Sequence, residues 1–225
     1  MKRARWIRAA VYVASVLAAL TLVTGLMHTK AARPLLARLG VKCPVQGSAA
    51  DVEAARMRSA RAERGAEAAA SRPALGFALD TMTLVDVKAW ADKKQISCEE
   101  SRQSSLLRCK DVPEAALGGA GLTIAKLDFG FAPSTKHLVN ISAWRSGLSS
   151  AAAANQMNAV VASMQEQLGA PTTEKGDRSA AYLASAPMST AVVEYRFADY
   201  SADVTATNIP GAGLLLREHY MSARD

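Results

Sequence analysis

Histidine, cysteine and aromatic residues are scarce in this chain of 225 residues, which has three His, three Cys, four Phe, three Trp and five Tyr. His28, His137 and His219 lie far apart, in no spacing that makes a metal site or a nucleophile–base pair. There is no Cys-x-x-Cys to pair with them, and no serine sits in a Gly-x-Ser-x-Gly elbow. Glu218 beside His219 is the one neighbouring pair that could support acid–base work, and near the carboxyl end it reads more simply as a solvated strand end. Other carboxylates are scattered, with Glu99-Glu100 best suited to solubilising a hairpin tip. The expectation is a protein that is not an enzyme, with no catalytic residue, no metal and no cofactor.

Other local signals are equally spare. Leu117-Gly118-Gly119-Ala120-Gly121 neither follows a clear strand nor opens a helix, so it is a flexible loop and not a phosphate cradle. Asn140-Ile141-Ser142 has the form of a glycosylation acceptor but falls inside an expected strand, where it reads as chance. Trp90 and Trp144 are expected to fill the core rather than stack on a ligand.

What the chain does have is an uncharged apolar run from Ala9 to Met27, nineteen residues long and preceded by Lys2, Arg3, Arg5 and Arg8. As a helix it would span roughly 28 Å, close to the hydrocarbon thickness of a bilayer. A secretory signal has a shorter apolar region and a small-x-small cleavage site beyond it. Here Val16-Leu17-Ala18 lies inside the run and Thr29-Lys30-Ala31 is a poor match, so the run is read as an uncleaved anchor, with a cleaved signal as the alternative. Lys30, Arg33, Arg38 and Lys42 follow the run, so flanking charge sets its direction only weakly. Lys42 before Cys43 departs from a lipoprotein signal.

The net charge of +7 divides unevenly along the chain. Residues 1–72 hold 13 basic and 4 acidic side chains, and residues 73–225 hold 14 basic and 16 acidic. The excess belongs beside anionic lipid headgroups, and nucleic acid is not an expected partner. Cys98 and Cys109 sit in short strand-like stretches, Gln95–Glu99 and Leu106–Asp111, around a polar loop. In an oxidising compartment they are expected to form a disulfide across a hairpin, the alternative being two small buried thiols. A disulfide supplies the direction that the charges do not, because it persists outside the cytoplasm. Cys43 is left as a free thiol or an intermolecular bridge.

Three regions follow: an anchor over 1–28, a juxtamembrane segment and Ala/Arg/Glu-rich helical tether over 29–74, and a folded domain over 75–225. The tether has good helix formers but only Val52 and Met57 as larger apolar residues, so it is expected to be solvated, and it lacks coiled-coil heptads. In the domain, Asp80 to Thr83 offer caps for a helix through about Lys94, with Leu84, Val87 and Ala91 on one stripe. Lys126–Phe131 and His137–Trp144 alternate as strands. Ser149 or Ser150 starts a second helix, with Met157, Val160, Val161, Met164 and Leu168 on its stripe and Gly169 and Pro171 ending it. Strands are then expected at Ala180–Ala184, Thr190–Ala198, Ala202–Thr207 and Gly213–Met221. The pattern is a helix followed by four strands, twice, which predicts an α+β fold with an antiparallel sheet packed by two helices on one face.

A helix ending in Leu168-Gly169-Ala170-Pro171 and followed by a short antiparallel sheet resembles the SmpA/OmlA (BamE) family of envelope proteins. It is also similar to the β-lactamase-inhibitor-like fold, which repeats that unit in tandem. The resemblance implies binding or assembly rather than catalysis, and no individual residues carry over. The chain is therefore expected to be a single-pass inner-membrane protein, held in the bilayer by residues 9–27, with a periplasmic domain that binds an envelope protein. An enzyme or small-ligand carrier with a site assembled from dispersed residues, or a purely structural envelope protein, are the alternatives.

Overall fold

The computed structural model of the chain describes residues 49–101, 105–119 and 121–224. The apolar run 9–27, the segment up to residue 48 and Cys43 lie outside the described residues. Among the described residues no helix is long and apolar enough to cross a membrane. Residues 49–225 form one compact unit.

Its elements, in chain order, are α1 (Ala49–Ala62), α2 (Leu84–Lys93), β1 (Cys98–Ser101), β2 (Leu106–Val112), a 3-10 turn (Glu114–Leu117), β3 (Ile124–Phe131), β4 (Leu138–Leu148), α3 (Ser150–Leu168), β5 (Thr173–Lys175), α4 (Ala180–Ala184), β6 (Thr190–Arg196), β7 (Tyr200–Ile209) and β8 (Gly213–Ser222). The fold is α+β, with one eight-stranded sheet in the order β1-β2-β3-β4-β8-β7-β6-β5. Every pairing is antiparallel, so two meanders meet where β4 pairs with β8.

One of the expected strands is misplaced. Ala180–Ala184 is a helical turn, not a strand, because Ser179 caps it by accepting the Tyr182 N–H at 3.3 Å and is itself held by Asp177. The fifth strand is instead the polar Thr173–Lys175, three residues with no apolar alternation to reveal them. The two main helices start where the caps allow. Thr83 and Asp86 form a reciprocal capping box at α2, and Ser149 caps α3.

Register gives the sheet two unlike faces. On the inner face Cys98, Cys109, Leu127, Ala143, Glu218, Val204 and Val193 stand opposite one another from β1 to β6. All but Cys98 and Glu218 are buried members of one apolar core, which α2 enters with Leu84 and Val87 and α3 with Met157, Val161 and Met164. Trp90 of α2 and Phe77 meet Phe129 of β3 edge to face, with ring centres 5.8 and 4.9 Å away. Helix α3 packs over β7 and β8. The outer face carries mostly half-buried polar and charged side chains, and over β6–β8 the segment from α1 lies on it, with Ala60 on Met221 and Glu63 beside Asp203 and Arg217.

The Ala/Arg/Glu-rich stretch does bury something, contrary to expectation. Ala60 of α1 closes on Met221 and Ala223, and Arg56 donates to the Ser222 carbonyl at 3.1 Å. The chain beyond α1 follows the β6–β7 turn, with the Gly65 N–H on the Phe197 carbonyl and the Ala198 N–H on the Glu67 carbonyl. A Cβ at Gly65 would lie 2.1 Å from the Arg196 carbonyl oxygen, so glycine is what permits this approach. One small side chain, an arginine and backbone hydrogen bonds, not a stripe of large side chains, dock the segment.

Cys98 and Cys109 are joined by a disulfide between directly opposed positions of β1 and β2. It fastens a four-residue edge strand that has few other contacts to hold it. Replacing both with Ala is expected to lower stability by roughly 2–3 kcal/mol, read as a lower urea midpoint. Amide exchange should rise first in Glu99–Ser101, and an unchanged midpoint would show that β1 holds without the bond.

Candidate functional site

Directly opposed residues on the outer face form rows that cross the strands. One row reads Arg108, Asp128, Ser142, His219, Asp203 and Glu194 from β2 to β6. The next reads Lys110, Lys126, Trp144, Arg217, Thr205 and Val192. Six strands at the usual spacing make each row about 24 Å long. The second row is basic on either side of its tryptophan: Lys126 Nζ lies 4.4 Å from the centre of the Trp144 ring and the Arg217 guanidinium 5.6 Å from it. The first row supplies the counter-charges. Arg108 grips Asp128 with two hydrogen bonds, at 2.8 and 3.1 Å, and Lys126 lies 3.6 Å from the same carboxylate. Arg217 donates to Asp203 at 2.6 Å, and His219 Nδ1 lies 3.3 Å from its other oxygen.

Burial works to raise the Asp203 pKa, but the His219 hydrogen bond and the Arg217 charge outweigh it and hold the carboxyl below its ordinary value. Lys110 and Lys126, directly opposed, are like charges at a position where opposite charges would favour pairing.

The first row also places Ser142, His219 and Asp203 on three consecutive strands, the order of a nucleophile, base and carboxylate. Asp203 takes Nδ1 as a relay would require, yet among the described residues no hydrogen bond joins Ser142 to His219. Backbone N–H groups of these central strands are taken up by neighbouring strands in the ladder.

The inner face holds a second polar group, inside the core. Arg145 of β4 and Glu218 of β8 are each 1% exposed and form an ion pair. The second guanidinium nitrogen of Arg145 lies 3.2 Å from Glu114 at the 3-10 turn, and its Nε donates to the Leu122 carbonyl at 3.2 Å. Tyr220 donates to the free oxygen of Glu218 at 2.7 Å. Burial, then the neighbouring carboxylate, pushes the Tyr220 phenol far up, so it remains a donor.

Several side chains singled out in the sequence stand elsewhere than expected. Glu218 is not at a solvated strand end, and it cannot work with His219 because neighbours in a strand face opposite ways. Trp144 is not a core filler: its strand position turns it to the outer face. Trp90 packs against the core through Phe77 and Phe129. Glu100 pairs with Lys88 of α2 rather than merely solubilising the hairpin, while Glu99 is exposed. His137 bridges to Thr83 beside the α2 cap. Among the described residues no cluster of His, Cys, Asp or Glu is arranged to hold a metal.

Arg145, Glu114 and Asp203 were not singled out from the sequence. Arg145 and Glu218 did leave a signal, as charges at the inward step of otherwise apolar alternations, Ile141-Ala143-Arg145 and Leu214-Leu216-Glu218-Tyr220. No protein family, characterised protein or solved structure matches the chain.

Replacing Arg145 with Met strands two carboxylates without their cation and is expected to cost roughly 3–5 kcal/mol in urea unfolding, much of it recovered when Glu218→Leu is added. The Asp203 pKa is lowered on folding, so its stabilisation is complete above about pH 4 and is lost as pH falls through the folded-state value. Asp203→Asn should therefore flatten the loss of stability below about pH 4, seen by comparing urea midpoints at about pH 6, 4 and 3.

Proposed function

We propose that the chain is a single-pass membrane protein, anchored through residues 9–27, whose C-terminal domain lies on the extracytoplasmic, periplasmic side and binds another envelope protein without catalysing a reaction. The observation that carries this reading is the outer face, where Trp144 stands within a lattice of Lys126, Arg217, Asp128 and Asp203, with Lys110 exposed and the Lys126 side chain 37% exposed beside it. An aromatic ring set among paired charges is the composition of a protein-binding surface, with area from the ring and specificity from the charges. The disulfide supports an oxidising compartment. A helix followed by four strands, repeated with the short helix α4 inserted after β5, supports a tandem α+β unit of the kind that the BamE and β-lactamase-inhibitor-like resemblance implies for assembly or inhibition. Among the described residues no hydrogen bond joins Ser142 to His219, which supports a binding role over hydrolysis.

A photo-crosslinking residue at Ser142, compared with one at the exposed Gln165 of α3 in the full chain in cells, tests this. The expected result is a discrete protein adduct from Ser142 alone, recovered with the membrane fraction. Its yield should fall about fivefold or more in a Lys110→Glu/Lys126→Glu variant, whose charges are reversed on one exposed and one half-buried side chain. No adduct at Ser142, or equal adducts from both positions, would overturn the reading.

A further inference from the structure

On the other side of the sheet a cleft of about 650 Å³ opens between residues 71–78, the 3-10 turn with Gly118 and Gly119, and one side of α3. That volume is in the range of small-molecule sites. Leu75, Phe77, Leu117, Val160 and Met164 give it apolar walls, Glu218 and Tyr220 of β8 form its floor, and Glu114 stands at its side.

The charges around the cleft do not balance. Among the described residues Arg145 is the one cation paired with Glu114 or Glu218, so two carboxylates share a single guanidinium. Arg72 also lines the cleft, but it is engaged by Asp80 at 2.6 Å and Asp199 at 4.0 Å. Gln156 donates to Glu114 Oε1 at 3.4 Å, but the buried Oε2, 3.2 Å from Arg145 Nη2 without hydrogen-bond alignment, keeps unused accepting capacity at the cleft. Glycine fixes Glu114 there. A Cβ at Gly119 would stand 2.8 Å from its side chain and one at Gly121 2.3 Å, so larger residues would displace the carboxylate. Away from bulk water an uncompensated negative charge attracts a cation more strongly than it would at the surface.

We propose that this cleft binds a small amphipathic cation, with an ammonium or guanidinium group against Glu114 and Glu218 and an apolar body on Leu75, Leu117 and Val160. The cation completes the charge balance that Arg145 leaves short, and the apolar walls exclude water from the contact. This site is independent of protein binding on the outer face, since its floor is the opposite side of β8.

The test uses the full-length chain in non-ionic detergent, with melting followed by near-ultraviolet circular dichroism. Phenethylamine is compared with two probes of the same shape, neutral 2-phenylethanol and anionic phenylacetate. Phenethylamine alone is expected to raise the melting temperature, by a few degrees at millimolar concentration and increasingly with dose. Glu114→Gln, which keeps the Arg145–Glu218 pair, should weaken that response at least about tenfold. Ala159→Phe, at an exposed position of α3 on the cleft, should weaken it by filling space without touching a charge. Equal shifts from all three probes, no shift from any, or a phenethylamine shift that survives both substitutions would overturn the proposal.

Discussion

The pairing of β4 with β8 is the contact on which the rest of the molecule depends. It joins two meanders that would otherwise end in free edges, and the Arg145–Glu218 ion pair lies across it. Taking these two charges out of water costs several kcal/mol per ion, which the surroundings offset only through full pairing. Here the Leu122 carbonyl and the Tyr220 hydroxyl add hydrogen bonds, while Glu114, 3.2 Å from the guanidinium, adds charge without an aligned bond and leaves the set one partner short. A slip of β8 by one residue would turn Glu218 to the outer face and bring Arg217 and His219 into the core. The charges therefore penalise the wrong register more than they strengthen the right one.

Both faces take their order from that seam. With β4 and β8 in register, Trp144 falls opposite Arg217 and Ser142 opposite His219, and the rows continue outward without a break to β2 and β6. The sheet then ends in β1 and β5, of four and three residues, which leaves little open ladder for an unwanted strand to join. One edge is fastened by the Cys98–Cys109 bond. The β6–β7 turn is held by the incoming chain, where Asp199 accepts the Ala69 N–H and lies close to Arg72 and Arg224. Burial raises the pKa of that carboxyl, but these partners bring it below its ordinary value.

The parts legible in the sequence are those in which local pattern and tertiary need agree. Thr83 with Asp86, Ser149 with Gly169, and the alternation of Val193, Tyr195 and Phe197 each specify an element by themselves. The opposition of Cys98 and Cys109 was legible too, because two short strands around a polar loop leave little choice of register. Thr173–Lys175 was not, since a polar edge strand exists only because β6 offers it a ladder. Ala180–Ala184 has the alternation of neither form and is decided by the Ser179 cap. The candidate sites were hidden for a different reason. Asp203 meets His219 and Arg145 meets Glu218 across 16 and 73 residues, and only the strand order brings them together.

Strand order also changes what the charge of the domain means. Residues 73–225 are slightly acidic as a whole, yet the outer rows gather Arg108 and Lys110 of β2, Lys126 of β3 and Arg217 of β8 around Trp144 of β4. A basic surface of this kind would suit a polyanion if its cations were free to release counterions. Most are not. Asp128 holds both Arg108 and Lys126, and Asp203 holds Arg217, so a phosphate chain laid along the tryptophan row would pass the Asp128, Asp203 and Glu194 carboxylates in the row beside it. A protein whose own side chains alternate in sign meets the same lattice without that repulsion, and the Trp144 ring gives it an apolar centre to bury. Under the proposed binding role, it is the carboxylates set beside the basic row, more than the basic charge along it, that favour a protein as the partner of this face.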